Sequence, residues 1–134
     1  MKLFPYLNFK GDCEEALNFY KDALNGEILQ MGRYGDSPVN TNDEYKNKIV
    51  HGRLKFGEAL IMASDSTNAA DGFNNNITLS VECETGDQLE SVFTKMGEGG
   101  KVTMPLQDQF WGAKFGMLTD KFGVHWMFNC EKKN

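Results

Sequence analysis

Phe4-Pro-Tyr-Leu-Asn-Phe-Lys-Gly-Asp-Cys-Glu-Glu-Ala-Leu-Asn-Phe-Tyr-Lys-Asp-Ala-Leu-Asn-Gly26 reads as a strand, a helix and a stop in immediate succession. Aromatic and apolar residues dominate Phe4 to Phe9, as a buried strand requires. The period then changes from two to three and four: Ala16, Leu17, Tyr20, Ala23 and Leu24 fall on one helical stripe able to lie on that strand. Asp12 stands where an N-cap belongs, with Glu15 three residues on in a capping-box-like spacing and Glu14 adding negative charge to the first turn. Gly26 is the expected stop.

The same pattern returns 72 positions later, with Leu7, Phe9, Leu17, Tyr20 and Leu24 matched by Leu79, Val81, Leu89, Val92 and Met96. Ile77 to Val81 is therefore a second strand and Asp87 to Met96 a second helix, stopped by Gly97, Gly99 and Gly100. Two copies of one supersecondary unit follow.

Between and after these units the chain alternates strands with turns. Glu27 to Tyr34 reads as a strand entering a long polar segment, Gly35 to Glu44, which is either a binding loop or a solvated connector. Lys48 to Phe56 and Ala59 to Ser64 flank Gly57-Glu58 as a hairpin. Val102 to Leu106, Ala113 to Leu118 and Val124 to Asn129 are the corresponding strands of the second copy, the last two joined by Asp120-Lys-Phe-Gly123. Each copy is strand, helix, then three strands. The expected layout is one domain, 1–134, made of a first module at about 1–66, a linker at about 67–75 and a second module at about 76–130.

The 134 residues suffice for a core without disulfide or metal staples. No apolar run reaches membrane-spanning length and no basic-then-apolar leader opens the sequence, so a cytoplasmic protein with no membrane partner is expected. The net charge of -5 argues against a nucleic-acid partner. Cys13, Cys83 and Cys130 are odd in number and far apart, which favours reduced thiols over a disulfide framework or a zinc site.

The βαβββ-βαβββ order, the opening Pro5-Tyr-Leu-Asn-Phe with Glu14-Glu-Ala-Leu-Asn-Phe-Tyr20, and the close Trp111-Gly-Ala-Lys-Phe-Gly-Met-Leu-Thr-Asp-Lys-Phe-Gly-Val-His-Trp126 together resemble the vicinal oxygen chelate superfamily. That superfamily contains glyoxalase I, bleomycin-resistance proteins and extradiol dioxygenases. Within it the chain looks like the PhnB-like branch, whose domain carries the label 3-demethylubiquinone-9 3-methyltransferase. The resemblance implies an α+β fold in which two tandem βαβββ modules form a cup-shaped mixed sheet with helices on the convex side. It also implies a ligand cavity in the cup and a homodimer.

Enzymes of the superfamily hold a divalent metal with His, Glu or Gln from both modules. Carried over strand by strand, those positions are Phe4, Met62, Asn76 and Met127. A phenyl ring, two thioethers and a neutral amide do not suit a hard or borderline cation, so no metal and no cofactor are expected. Strand alternation then gives the cup lining as Tyr6, Asn8, Met62, Asn76, Thr78, Met127 and Asn129. Hairpin pairing adds His51 and Arg53, and places Lys114 opposite Asn129; Trp111 is a candidate lid. Such a wall suits a small polar or anionic molecule. No catalytic constellation is legible. The first expectation is metal-independent binding; the alternative is a metal-dependent lyase or dioxygenase with a non-standard site using His51 and His125. Methyl transfer lacks its usual glycine-rich turn after a parallel strand, since Gly97-Glu-Gly-Gly100 follows a helical pattern.

Overall fold

The computed structural model describes residues 3–39, 42–66, 77–109 and 112–131. The chain divides into two compact units, Met1–Asp71 and Gly72–Asn134. In the first, β1 (Tyr6–Phe9), α1 (Cys13–Leu24), β2 (Glu27–Arg33), β3 (Ile49–Phe56) and β4 (Ala59–Asp65) form a sheet ordered β1-β4-β3-β2. Strand β1 runs parallel to β4 and the other neighbours are antiparallel. In the second, β5 (Leu79–Glu82), α2 (Gly86–Met96), β6 (Lys101–Asp108), β7 (Ala113–Thr119) and β8 (His125–Glu131) repeat that connectivity as β5-β8-β7-β6. The expected strand-helix-three-strand order holds in both. Of the expected linker, residues 67–75 lie outside the described residues.

Hydrophobic stripes fix each helix on its sheet. In α1 the predicted stripe is buried, with Ala16, Leu17 and Tyr20 fully enclosed; in α2 the matching residues are Leu89, Val92 and Met96. Leu7, Phe9, Leu54, Ile61 and Ala63 supply the sheet side of the first core. Gly52 lies under Leu17: a β-carbon there would come within 2.5 Å of Leu17 Cδ1, so the helix rests where β3 has no side chain. The second core is built around Trp126 and Phe128, stacked at 6.0 Å, with Phe93 of α2 edge-on to Phe128 at 5.8 Å.

The termini of α1 differ from the sequence reading. Asp12 occupies the N-cap position, yet its side chain makes no capping bond. Asp65, 1% exposed at the end of β4, does the work instead: Oδ1 accepts the N–H groups of Gly11 (2.8 Å) and Cys13 (2.9 Å), and Oδ2 accepts that of Ile49 (2.9 Å). One carboxylate thus joins the start of α1, the start of β3 and the end of β4. At the other end, the left-handed residue is Asn25 (φ 54°) rather than Gly26. Gly26 is needed for room, because a β-carbon would lie 2.9 Å from the Lys55 carbonyl oxygen. Helix α2 follows the rule more simply, with Thr85 Oγ1 accepting the Gln88 N–H at 3.1 Å.

The Gly57-Glu58 hairpin forms as expected, with Phe56 opposite Ala59 and Gly57 at φ +56°. The polar segment after β2 contains two 3₁₀ turns, Tyr34–Asp36 and Asp43–Tyr45. Its base is pinned: the Tyr34 and Gly35 N–H groups bond the Lys48 and Lys46 carbonyls, and the Tyr34 hydroxyl donates to the Asp65 carbonyl at 2.6 Å.

Candidate functional site

Because one face of each sheet is taken by its helix, the alternate residues form an opposite, open face. In the first unit the register aligns Tyr6 with Met62, Met62 with Arg53, and Arg53 with Gln30, a row crossing all four strands. Asn8 and Ser64 are paired in the next row, and His51 stands opposite Gly32, which has no side chain to cover it. The predicted set Tyr6, Asn8, His51, Arg53 and Met62 is therefore brought together on one surface.

Tyr6 reaches over β4 to His51. Its hydroxyl is 3.3 Å from His51 Nδ1, with ring centroids 5.8 Å apart. That contact fixes the imidazole orientation and leaves Nε2 for another partner. Arg53 is half-buried and makes no hydrogen bond or ion pair among the described residues. A guanidinium with no partner among the described residues, flanked by a thioether and an amide, is suited to receive an anion, since its five donors match an oxyanion in a forked geometry. By contrast, Arg33 is spoken for: its two terminal nitrogens hold both Glu14 oxygens at 3.0 and 2.7 Å and the Asn47 carbonyl at 2.7 Å.

In the second unit, Ser80, Met127, Met117 and Met104 align across β5, β8, β7 and β6. Glu82, Asn129, Phe115 and Gln107 form the neighbouring row. Thr78 precedes β5 and is half-buried. His125 Nδ1 is 2.9 Å from Thr119 Oγ1, its cross-strand partner. Gln30, Met104, Met117 and Phe115 were not singled out from sequence. Met104 and Gln107 are separated by a register shift in β6, so simple alternation does not find them.

Lys114 requires correction. Phe115, and not Lys114, stands opposite Asn129; Lys114 faces Cys130 on the helix side, where its Nζ pairs with Glu90 Oε1 of α2 at 2.6 Å. The expected four-residue turn is a five-residue connection, with Thr119 opposite His125. Asp120 causes it: Oδ1 accepts the N–H groups of Phe122 and Val124, and Oδ2 accepts the Trp126 indole N–H, which draws Val124 into the turn and shifts the register by one. Asn76 and Trp111 lie outside the described residues.

The donor set does not fit the metal of the superfamily enzymes. Met62 and Met127 sit mid-sheet on the open faces and Phe4 precedes β1, offering thioethers and a phenyl ring where imidazole and carboxylate would be needed. Among the described residues no three His, Cys, Asp or Glu side chains are grouped to hold a cation. Cys13 offers no nucleophile: burial, together with Asp65, Asp12 and Glu14, pushes it far above its ordinary range, and burial also raises Cys83 while its strand stays closed. Gly97 directly follows α2, where the cluster through Gly100 serves the helix exit.

A family model described as 3-demethylubiquinone-9 3-methyltransferase matches residues 1–128. Among solved structures, protein PA1353 from Pseudomonas aeruginosa is 40% identical over 99% of both chains, with a TM-score of 0.89. The PhnB protein from Bacillus cereus is 32% identical, covering 97% of this chain and 99% of its own, with a TM-score of 0.82. A glyoxylase/bleomycin resistance/dioxygenase domain from Frankia sp. EAN1pec is 14% identical over 100% of this chain and 93% of its own, with a TM-score of 0.74, and so shares the fold. No helix among the described residues is long and apolar enough to cross a membrane.

Proposed function

The chain belongs to the 3-demethylubiquinone-9 3-methyltransferase family, the PhnB-like branch of the vicinal oxygen chelate superfamily, and from that premise we propose that it binds a small polar or anionic molecule without a resident metal. The observation that carries this reading is Arg53: a half-buried guanidinium with no partner among the described residues, on the open face beside Met62 and two residues from His51. Arg53 takes the anionic end of the ligand, His51 offers Nε2 as a second polar contact, and Tyr6 and Met62 supply apolar surface. The thioether and phenyl groups at the superfamily's metal positions support metal independence. Methyl transfer is not carried over from the family's description, because the glycine cluster follows a helix and not a parallel strand. The assembly form is a homodimer, to be checked by light scattering.

The test is thermal stabilisation. Chelated protein is screened against small carboxylates, phosphate and sulfate, and separately against zinc, nickel, manganese and iron(II). Stabilisation by an anion, lost in Arg53→Ala and indifferent to metal, is the expected result. A stoichiometric metal whose binding is lost in His51→Ala overturns it in favour of a metal-dependent lyase or dioxygenase.

A further inference from the structure

Cys83 and Cys130 are 47 positions apart in sequence and neighbours in space. The parallel ladder of β5 and β8 pairs Val81 with Phe128 and Glu82 with Asn129, and one further step brings Cys83 level with Cys130. The backbone agrees: the Cys83 N–H donates to the Asn129 carbonyl at 2.7 Å, the bond by which a residue in a parallel pair brackets its partner. Both side chains are on the helix side, as Val81 and Phe128 are, and each is 6% exposed. Neighbouring strands lie about 4.8 Å apart, inside the roughly 4.4–6.8 Å between α-carbons that a disulfide spans.

We propose that Cys83 and Cys130 are a disulfide-forming pair, oxidised by a hydroperoxide. One thiol takes the terminal peroxide oxygen to give a sulfenic acid and an alcohol; the second thiol displaces water from the sulfenic sulfur, closing the S–S bond. Both electrons come from the two sulfurs, and the two thiol protons leave with the alcohol and the water. Access comes from the edge position of β5, a four-residue strand bonded to β8 alone in its sheet, which frays more readily than the interior strands. Cys13, wholly buried at the start of α1 in the other unit, takes no part. The closed bond ties an edge strand to the centre of its sheet and so stabilises the second unit.

The experiment treats reduced full-length protein with tert-butyl hydroperoxide, then denatures and alkylates it before mass analysis. One alkylated thiol, at Cys13, and a non-reduced peptide joining Cys83 to Cys130 are expected, with a melting temperature several degrees higher that returns to its starting value on adding dithiothreitol. Three alkylated thiols, sulfinic acid at either position, or a disulfide between two copies of the chain would each overturn the assignment. Cys130→Ser, which is nearly isosteric, should lose the thermal shift; retention of the shift in that variant also refutes the pairing.

Discussion

The Asp65 carboxylate accepts the Cys13 N–H at 2.9 Å across 52 positions of sequence, so that the first helix is capped from the end of β4 and not from its own first turn. The arrangement binds a helix start to the end of an interior strand through a group excluded from water, where each charge-assisted bond counts most.

Removing that carboxylate therefore costs far more than removing the apparent cap. Asp65→Ala leaves the Gly11, Cys13 and Ile49 N–H groups without their acceptor, and should lower stability by about 3–5 kcal/mol. Asp12→Ala, which removes no capping bond, should cost under about 1 kcal/mol. Urea titrations with unchanged m-values check both; equal losses would contradict the capping scheme.

The exit of α1 makes an opposite pair of predictions. Asn25→Gly relieves a left-handed residue and should be neutral or slightly stabilising. Gly26→Ala drives a methyl group toward the Lys55 carbonyl and should destabilise by roughly 1–3 kcal/mol. Thermal melts should leave Asn25→Gly at or above the wild-type midpoint and place Gly26→Ala below it.

Glu14 and Arg33 carry a pH signature. The forked bond from Arg33 holds the Glu14 carboxyl below its ordinary value of 4.5. A depressed folded-state value means the pair's contribution is complete above the unfolded carboxylate value and disappears as pH falls through the folded one. A double-mutant cycle with Glu14→Gln and Arg33→Ala should give a small coupling at neutral pH, weakened by salt, and none at about pH 2. Coupling that persists in acid would show that packing, and not charge, joins the two.

Arg53 and Lys114 separate the sequence reading of the site from the structural one. For an anion that stabilises the wild type, Arg53→Ala should weaken binding by roughly 10- to 100-fold, the loss of a charge-assisted contact. Lys114→Ala should leave affinity unchanged, because that ammonium lies on the helix side against Glu90. Isothermal titration of both variants decides the matter.

Local periodicity determined the elements, their order and the repeat. The stripe Ala16, Leu17, Tyr20 and Leu24 and its echo in Leu89, Val92 and Met96 are spacing rules, and spacing is a property of the chain alone. Of the open-face set, Tyr6 and Met62 were placed by the family resemblance with strand alternation, and His51 and Arg53 followed because a two-residue turn at Gly57-Glu58 fixes its own register. Tertiary structure decided everything that depended on partners distant in sequence. Asp65 and not Asp12 accepts the Cys13 N–H because the folded sheet brings the end of β4 to the start of α1, a contact 52 positions apart that spacing does not reveal. Asp120 added a residue to its turn because three donors, one of them the Trp126 indole, converge on it only once the sheet has formed. That single residue sent Lys114 to the opposite face, since a slip of one in a strand exchanges its two sides.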